Sequence, residues 1–298
     1  MTAASDVRAV AVPRRSQRPR WLGYAGVRAA IVVIALAWSM PTAGLLISSF
    51  RSNADIRSSG WWDALAHPFE STWTLANYVS VMNADGLTTA FINSLVVTIP
   101  AVVIPITMAA FAAYAFAWMR FPGRTLLFAL VVGLLVVPLQ MSLVPVLRLY
   151  TGLDLNGTFL GVWLAHTGFG LPLAIFLLYN YISQLPGDLF ESAAIDGASH
   201  FQIFRRLVLP LSVPALASFA IFQFLWVWND LLVALVYLGT NQSVATLPAR
   251  LNELVGTKGE SWHLLTAGAF VTMVVPLVVF LLLQRYFVRG LIAGSVKG

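Results

Sequence analysis

Three acidic residues stand out among the few charges of this chain as groups that could bind a partner or a solute. Glu191 and Asp196 lie in a polar segment between two long apolar stretches, and Asp230 directly follows the second of them. A carboxylate accepts strong, charge-assisted hydrogen bonds from a basic partner. Inside a bilayer it costs at least ~2.5 kcal/mol, so Asp230 should face protein or water.

The polar segment at residues 184–210 predicts a short helix, a sharp turn and a second helix. The pair Asp196-Gly197 consists of turn-forming residues and separates the two helices. Each helix has a start signal, in which Asp or Ser is followed three residues later by Glu or Gln. These two capping patterns are Asp188 with Glu191 and Ser199 with Gln202.

Both predicted helices carry residues that suit contact with another surface. Phe201 and Phe204 are three apart, which predicts two aromatic rings on one side of the second helix. The small residues that would allow close approach are Ala193, Ala194, Gly197 and Ala198. Exposed aromatic residues only suggest docking. A solvated loop with ordinary caps, covered by the protein's own helices, is the alternative, and in that case Glu191 is a capping residue only.

The apolar stretch after this segment has a face that combines aromatic and polar side chains. Phe219, Gln223, Trp226 and Asp230 follow at spacings of four, three and four, which places them on one helix face. Aromatic rings stack on sugar C–H faces while polar acceptors bind hydroxyl groups. With Asn229 added, these residues form a candidate substrate path. The alternative is a helix-packing face whose Asp230 is held by a neighbouring helix.

Composition shows what kind of protein must position these residues. Charged residues make up 10% and hydrophobic residues 59% of the 298 residues, whereas a soluble domain has about 25% charged residues. A soluble globular domain and a disordered chain are both excluded. The chain has no cysteine, so it has no disulfide, thiolate metal site or thiol nucleophile. An integral membrane protein remains.

Six long stretches have no charged residue, and the shortest has 22 residues, whereas a spanning helix needs ~20. Backbone groups in hydrocarbon must pair within their own segment, which predicts six transmembrane helices in an all-α bundle. The two stretches longer than 30 residues should each contain one helix plus loop. The stretches are Ala29–Phe50, Gly86–Met119, Thr125–Leu147, Leu155–Gly187, Leu207–Asn229 and Ser261–Gln284.

The positive charges predict the orientation of the spans. An even number of spans puts both termini on one side, and that side holds 13 of the 18 Lys and Arg residues, which makes it cytoplasmic. Residues 1–22 are expected to be a disordered basic cytoplasmic tail, and residues 23–298 a transmembrane domain. The net charge of +6 needs no nucleic-acid partner, because these residues can meet anionic lipid. The five basic residues of the other side are Arg51, Arg57, Arg148, Arg250 and Lys258.

The chain carries none of the sequence patterns that would supply catalysis. No phosphate-binding loop of the Gly-x-x-x-x-Gly-Lys-Ser/Thr type and no Gly-x-Ser-x-Gly nucleophile turn occurs. Its four histidines lack metal-ligand spacing, so no metal site is expected. The protein is therefore expected to be non-catalytic.

The polar segment resembles the EAA motif of ABC importer permeases, in which Glu-Ala-Ala, three residues and Gly precede nine residues and Ile-x-Leu-Pro. Ser192 stands here for the first Ala, and Leu207 stands for the Ile. The matching positions are Glu191, Ser192, Ala193, Gly197, Leu207, Leu209 and Pro210.

Further stretches, spread from about Gly23 to the end of the chain, are similar to the carbohydrate-uptake branch of this family, the MalG-like permeases of maltose-type importers. They include Phe91-Ile-Asn-Ser-Leu95, Ile195-Asp-Gly-Ala-Ser199, Trp228-Asn-Asp230 and the ending from Arg289.

The resemblance implies a type I ABC importer permease fold in the bacterial inner membrane and a sugar as the solute. Residues 184–210, the coupling segment, would seat in a cleft of a cytoplasmic ATPase. Its partners would be a second permease subunit, an ATPase dimer and a sugar-binding protein outside. ATP and Mg would bind the ATPase, with no cofactor in this chain. The coupling residues would be Glu191, Ser192, Ala193, Ala194, Asp196, Gly197, Phe201, Phe204, Leu209 and Pro210.

Three other functions stay open at this point. The closest is an ABC permease for another solute class, because the sugar assignment rests on sequence outside the coupling motif. An ion-coupled secondary transporter would need membrane charges and commonly has inverted repeats, neither of which is evident. An intramembrane enzyme or scaffold would need a catalytic pair or metal set within the spans, which the sequence does not show.

Overall fold

A computed structural model describes residues 20–83, 86–256 and 261–295 of the chain. Within these residues the chain is helical, and its one extended pairing is an isolated bridge between Arg51 and Trp73. The chain divides between Gly44 and Leu45 into two compact units. Most of the predicted tail, residues 1–19, lies outside the described residues, and the first helix begins at Arg20.

Short turns and short helices separate the long helices. A 3₁₀ turn at Leu134–Val136 lies before α7, and a π-helical turn at Phe204–Val208 joins α10 to α11. In chain order the helices are α1 (Arg20–Ser49), α2 (Asn53–Ser58), α3 (Trp61–Ala66), α4 (Ala76–Asn83), α5 (Leu87–Trp118), α6 (Arg124–Gly133), α7 (Leu139–Gly152), α8 (Phe159–Ile182), α9 (Gly187–Ile195), α10 (His200–Ile203), α11 (Leu209–Leu211), α12 (Val213–Trp228), α13 (Leu232–Tyr237), α14 (Leu247–Gly256) and α15 (Trp262–Ser295).

Among the described residues, four to six segments are long and apolar enough to cross a membrane. Four are single helices, α1, α5, α8 and α15. The other two are bent pairs: Arg124–Val136 with Leu139–Gly152, at 103°, and His200–Leu211 with Val213–Trp228, at 71°. The expectation of helical, multi-pass architecture is confirmed.

The third and fifth apolar stretches bend where the sequence interrupts helical hydrogen bonding. Pro138 precedes α7 in an extended conformation with φ −65° and ψ 130°, and it has no N–H to continue the preceding helix. Ser212 separates α11 from α12, between Pro210 and Pro214. Apolar length alone does not reveal these bends.

Helix α5 differs from expectation in the opposite sense. The stretch Gly86–Met119 was expected to combine a helix with loop, but α5 occupies 32 of its residues as one helix. Such a helix is ~48 Å long, against a hydrocarbon core of ~30 Å. Helix α5 is therefore longer than the apolar layer is thick.

Within the second unit, α5 is the central helix. It packs along α8, and α12 packs against α5 and α15. Alanines at the α5–α8 contact, among them Ala109, Ala113 and Ala174, are fully buried. Small side chains let membrane helices approach closely. This packing fixes the position of α12, which carries part of the predicted substrate path, relative to α5.

Candidate functional site

The coupling segment forms the predicted helix, turn and helix. Helix α9 ends at Ile195, and Gly197 follows with φ +75°, a left-handed conformation that glycine adopts without steric cost. The Gly197 N–H donates to Ala194 O over 3.1 Å, and the Ala198 N–H donates to Ala193 O over 3.0 Å. These two bonds are those of a Schellman helix end. The glycine of the motif is therefore required by the turn.

One of the two predicted capping patterns is correct. Ser199 caps α10: its Oγ accepts from the Gln202 N–H over 3.3 Å, and Gln202 Oε1 accepts from the Ser199 N–H over 2.8 Å. The Asp188–Glu191 pattern is wrong, because α9 begins at Gly187 after Pro186, without a side-chain cap. Asp188 lies in the first turn, where a carboxylate complements the positive end of the helix dipole.

Most residues of the motif lie on the surface of the chain. Ser192, Ala194, Asp196, Gly197 and Pro210 are exposed, as is Glu191, while Ala193 and Leu209 are half-buried. Ile195, which the sequence analysis did not single out, is 86% exposed at the end of α9. An apolar side chain beside the turn was the sequence signal that could have identified it.

Phe201 and Phe204, which their spacing predicts on one side of the second helix, lie in different environments. Phe201 is 62% exposed, but Phe204 is 4% exposed and stacks on Phe111 of α5. Residues three apart differ by about 60° around a helix, and the boundary between surface and core passes between these two. Phe204 therefore packs inside the chain, and Phe201 is the aromatic residue available to a partner.

On α12 the predicted face is largely buried. Phe219 is buried in the same cluster as Phe204, and Trp226 is half-buried. Gln223 is fully buried, and its Nε2 donates to Ala101 O over 3.2 Å. Asn229 is exposed, with its Nδ2 donating to Leu225 O. Phe219 and Gln223 of the predicted face are therefore buried, whereas Trp226, nearer the end of α12, is only half-buried.

Asp230 lies just after α12 and contacts two other helices. Its Oδ2 accepts from the Ala234 N–H of α13 over 3.2 Å and lies 3.8 Å from Nε2 of His166 on α8. His166 is buried, and its ring meets the ring of Trp226 edge-on at 5.4 Å. His166 is not among the partners predicted for Asp230 from the sequence. A single histidine inside an apolar stretch was the available signal.

A cavity of about 470 Å³ lies between the bent pair α6–α7 and the helices α8 and α12. Its described lining is largely aliphatic and aromatic, with three polar side chains and two glycines, and none of these residues is charged. Two of the lining residues, Gln223 and Trp226, belong to the substrate path predicted from the sequence. The polar and aromatic lining residues are Gln140, Ser142, Phe169, Phe222, Gln223 and Trp226.

Helices that can cross a membrane, a mixed polar and aromatic cavity between them and an exposed capped turn define a membrane transport subunit. The chain belongs to the family described as binding-protein-dependent transport system inner membrane component, whose model matches residues 84–293. It is accordingly a multi-pass inner-membrane permease of an ABC transporter. It is non-catalytic, and a separate ATPase subunit binds the nucleotide.

Two relatives and one solved structure illustrate the similarity. The chain is 62% identical to the osmoprotective compounds uptake permease protein GgtD of Synechocystis sp., over 91% of each chain. It is 44% identical to the alpha-glucoside transport system permease protein AglG of Rhizobium meliloti, over 91% of this chain and 97% of that one.

The solved structure is a bacterial ABC transporter involved in the import of the acidic polysaccharide alginate. It has a TM-score of 0.74 at 19% identity and covers 93% of this chain and 100% of that one. At this identity the similarity concerns the fold, that of a type I ABC importer permease. The resemblance inferred from the coupling motif is confirmed at the level of family and fold.

Proposed function

We propose that this chain is one of two permease subunits of an ATP-driven importer for sugars or oligosaccharides. The assignment of sugars as the solute class rests on the names of the chain's relatives. Besides the alpha-glucoside permease, the chain is 36% identical to a trehalose transport permease of Mycobacterium tuberculosis and 35% identical to an arabinooligosaccharide permease of Halalkalibacterium halodurans. Both alignments cover at least three quarters of this chain.

The cavity between α6–α7, α8 and α12 is the proposed solute path. Its amides and hydroxyl suit solute hydroxyl groups, its aromatic rings suit sugar C–H faces, and its uncharged lining favours a neutral solute. Among the described residues, Gln223 Oε1 has no hydrogen-bond partner. A buried polar atom without a partner is costly, so a solute hydroxyl would satisfy it. Phe219 on α12, and Asn229 and Asp230 just after the end of α12, would flank this path.

The coupling segment is the proposed contact with the ATPase. Most of its motif residues are exposed, and the turn carries no side chain at Gly197, so a partner's surface can approach closely. Glu191 would bind a basic group there, and Ile195 and Phe201 would add apolar contact. Pro210, near the bend between His200–Leu211 and Val213–Trp228, would set the direction in which the segment leads into α12.

The topology that goes with this function has six spans, with each bent pair counted as one, and both termini in the cytoplasm. Residues 23–298 then form the permease domain, with the coupling segment on the cytoplasmic side. Residues 1–22 would be a basic cytoplasmic tail. The partners would be the second permease, an ATPase dimer that binds ATP and Mg, and a solute-binding protein outside.

A second candidate solute class is favoured by one observation. The relative with 62% identity is a permease for osmoprotective compounds. Some such compounds carry a quaternary ammonium group, and aromatic rings bind quaternary ammonium by cation–π attraction. Phe169, Phe222 and Trp226 line the cavity and could serve this purpose. A quaternary ammonium group on the solute therefore distinguishes the two candidates.

The deciding experiment is uptake by cells that express the complete importer. Labelled trehalose and labelled glycine betaine are supplied separately, and cells carrying a Walker-motif mutant of the ATPase serve as the control. ATPase-dependent uptake of trehalose is the expected result. Uptake of glycine betaine alone would overturn the sugar assignment, and uptake of either solute by the control cells would overturn ATP-driven import.

A further inference from the structure

A loop rich in aromatic residues connects α1 to α4, and its two ends are joined at the base. This aromatic loop, residues 50–75, contains the short helices α2 and α3. Its base is the antiparallel bridge between Arg51 and Trp73, with backbone hydrogen bonds of 2.7 and 3.2 Å on either side. The loop therefore leaves and rejoins the chain at one place, directly after the candidate span that ends at Ser49.

Buried polar side chains fix the base of the loop to the end of that span. Arg51 is 1% exposed, and its guanidinium donates to Asp55 O over 2.9 Å and to Ser59 O over 3.1 Å. Asn77 Nδ2 donates to Ser49 O over 2.9 Å and to Arg51 O over 2.8 Å. A span ends where the chain leaves the apolar layer, so these bonds hold the loop at the membrane surface.

The tip of the loop, residues 61–70, exposes its large apolar side chains. Trp62 and Leu65 are 66% and 59% exposed, and Phe69 is fully exposed, whereas the small side chain of Ala64 is buried. Trp62 and Leu65 are three apart on α3 and therefore share a face of this helix. A helix that faces water has the opposite arrangement, with its large apolar side chains turned to the protein. The tip therefore presents a surface that suits an apolar neighbour.

Contacts within the loop hold this apolar surface in place. A Cβ at Gly60 would clash with the ring of Trp62, so the glycine makes room for that ring beside the backbone. The ring of Trp61 meets the ring of Trp62 edge-on, with centroids 6.0 Å apart. The Trp73 Nε1–H donates to Pro68 O over 2.8 Å, which ties the tip of the loop to its base. The exposed surface is therefore preformed.

The charges of the tip indicate which part of a lipid it would contact. The tip contains Asp63 and Glu70 but no lysine or arginine. Anionic headgroups repel such a segment, so its attraction to a membrane must come from its apolar side chains. Tryptophan is enriched at the boundary between hydrocarbon and water, because its ring is apolar and its N–H is polar. The base of the loop already holds the tip near this boundary.

We propose that the tip of the aromatic loop inserts into the interface of the lipid bilayer, with Trp62, Leu65 and Phe69 below the headgroups. Its partner is the glycerol and upper acyl region of the lipids. Asp63 and Glu70 stay on the water side. This interaction goes beyond the proposed function, and it depends on neither the solute nor the ATPase.

The first test measures the depth of the tip with spin labels. The chain has no cysteine, so single labels can be placed at Phe69→Cys and at Glu70→Cys, its exposed polar neighbour and matched control. The protein is purified with the subunits it retains and reconstituted in nanodiscs. Collisions of each label with oxygen, which concentrates in lipid, are compared with collisions with a water-soluble nickel chelate. The oxygen-to-nickel ratio should be several-fold higher at position 69 than at position 70.

Other neighbours of the tip would give different results in the same experiment. Equal ratios at the two positions would mean that the tip lies in water, and they would overturn the proposal. A label at position 69 that nickel reaches until the solute-binding protein is added would assign the tip to that protein instead. A label that neither reagent reaches without the binding protein would mean that another subunit covers the tip. Both of these outcomes would also overturn the lipid contact.

The second test asks whether the apolar side chains cause the insertion. A label at Leu65→Cys reports on the tip while Phe69 is changed. Phe69→Asp should lower the oxygen-to-nickel ratio at position 65 several-fold, because a carboxylate is costly among apolar groups, whereas Glu70→Gln should not lower it. Since Phe69 is fully exposed, its replacement removes no packing within the described chain. An unchanged ratio in Phe69→Asp would contradict insertion through this ring.

Lipid composition tests the role assigned to charge. The label at Phe69→Cys is measured in nanodiscs of phosphatidylcholine alone and in nanodiscs that also contain phosphatidylglycerol. The high oxygen-to-nickel ratio should already be present in phosphatidylcholine, because the tip has no basic residue to bind an anionic headgroup. Insertion that requires phosphatidylglycerol would overturn the apolar contact as the cause.

Discussion

Replacement of Gly197 tests whether this glycine is needed only for the turn or also for contact with a partner. A Cβ added at this position meets no atom within 4 Å in the part of the chain that the structure describes. The penalty within the chain therefore comes from the backbone alone, because φ is +75°. For an ordinary residue this conformation costs about 1–2 kcal/mol, a factor of about 5–30 in the population of the turn.

Three substitutions distinguish the two roles by the order of their effects. Gly197→Ala adds the least bulk but carries the full backbone cost, whereas Gly197→Asn and Gly197→Asp tolerate the left-handed conformation better and add more bulk. If the ATPase approaches the backbone here, the Asn and Asp variants should lose more coupled uptake and ATPase co-purification than the Ala variant. Their yield in the membrane should match that of the wild type.

The assay is co-purification of the ATPase with the tagged permease, together with uptake of labelled trehalose or glycine betaine by the same cells. The reverse order, with Gly197→Ala the most affected, would mean that only the turn matters. Normal solute uptake by Gly197→Asp would refute the coupling role outright.

Three further predictions concern carboxylates in different settings. Glu191→Gln should weaken ATPase co-purification, because the variant loses a charge-assisted hydrogen bond. Asp188→Asn is the matched control in the first turn of α9 and should not weaken it. Equal effects of the two variants would contradict a specific role of Glu191. Asp230→Asn should keep uptake near wild type, because an amide oxygen can still accept the hydrogen bond from the Ala234 N–H of α13. A raised KM for uptake would instead indicate that Asp230 contacts the solute. The Thr72 N–H, 2.8 Å from Asp55, holds the pKa of that carboxyl below its usual value. Since the folded pKa is lowered, this stabilisation is present above the usual pKa and lost as pH falls through the folded value. Resistance of the α2–α3 region to proteolysis should therefore fall at low pH in the wild type, and this pH dependence should shrink in Asp55→Asn; an identical pH profile would contradict it.

Local sequence patterns predicted the coupling segment well but not the packing of its side chains. Gly197 and the Ser199–Gln202 cap follow from residue type and spacing, because a left-handed turn and a capping box are local structures. The burial of Phe204 does not follow, because it depends on Phe111, about ninety residues earlier in the chain. Spacing places two rings on neighbouring directions of a helix, but only the packed core decides which of them is covered.

The candidate path was predicted in part for a related reason. Gln223 and Trp226 share a helix face, and this follows from their spacing. Gln140 and Ser142 join them only because the chain bends by 103° before α7 and brings the start of that helix to the same cavity as α8 and α12. The contact of Asp230 with His166 likewise connects two helices that are distant in sequence.

The sequence by itself determined that this chain is an all-helical membrane protein, that its conspicuous polar segment is a helix–turn–helix and that it belongs with ABC permeases. Charge scarcity, capping patterns and motif spacing are properties of the chain read locally. Only the tertiary structure decided which side chains line the cavity and which hold α5 to the coupling segment. The physical reason is that lipid and protein interior are similarly apolar, so hydrophobic periodicity does not tell a lipid-facing residue from a core residue.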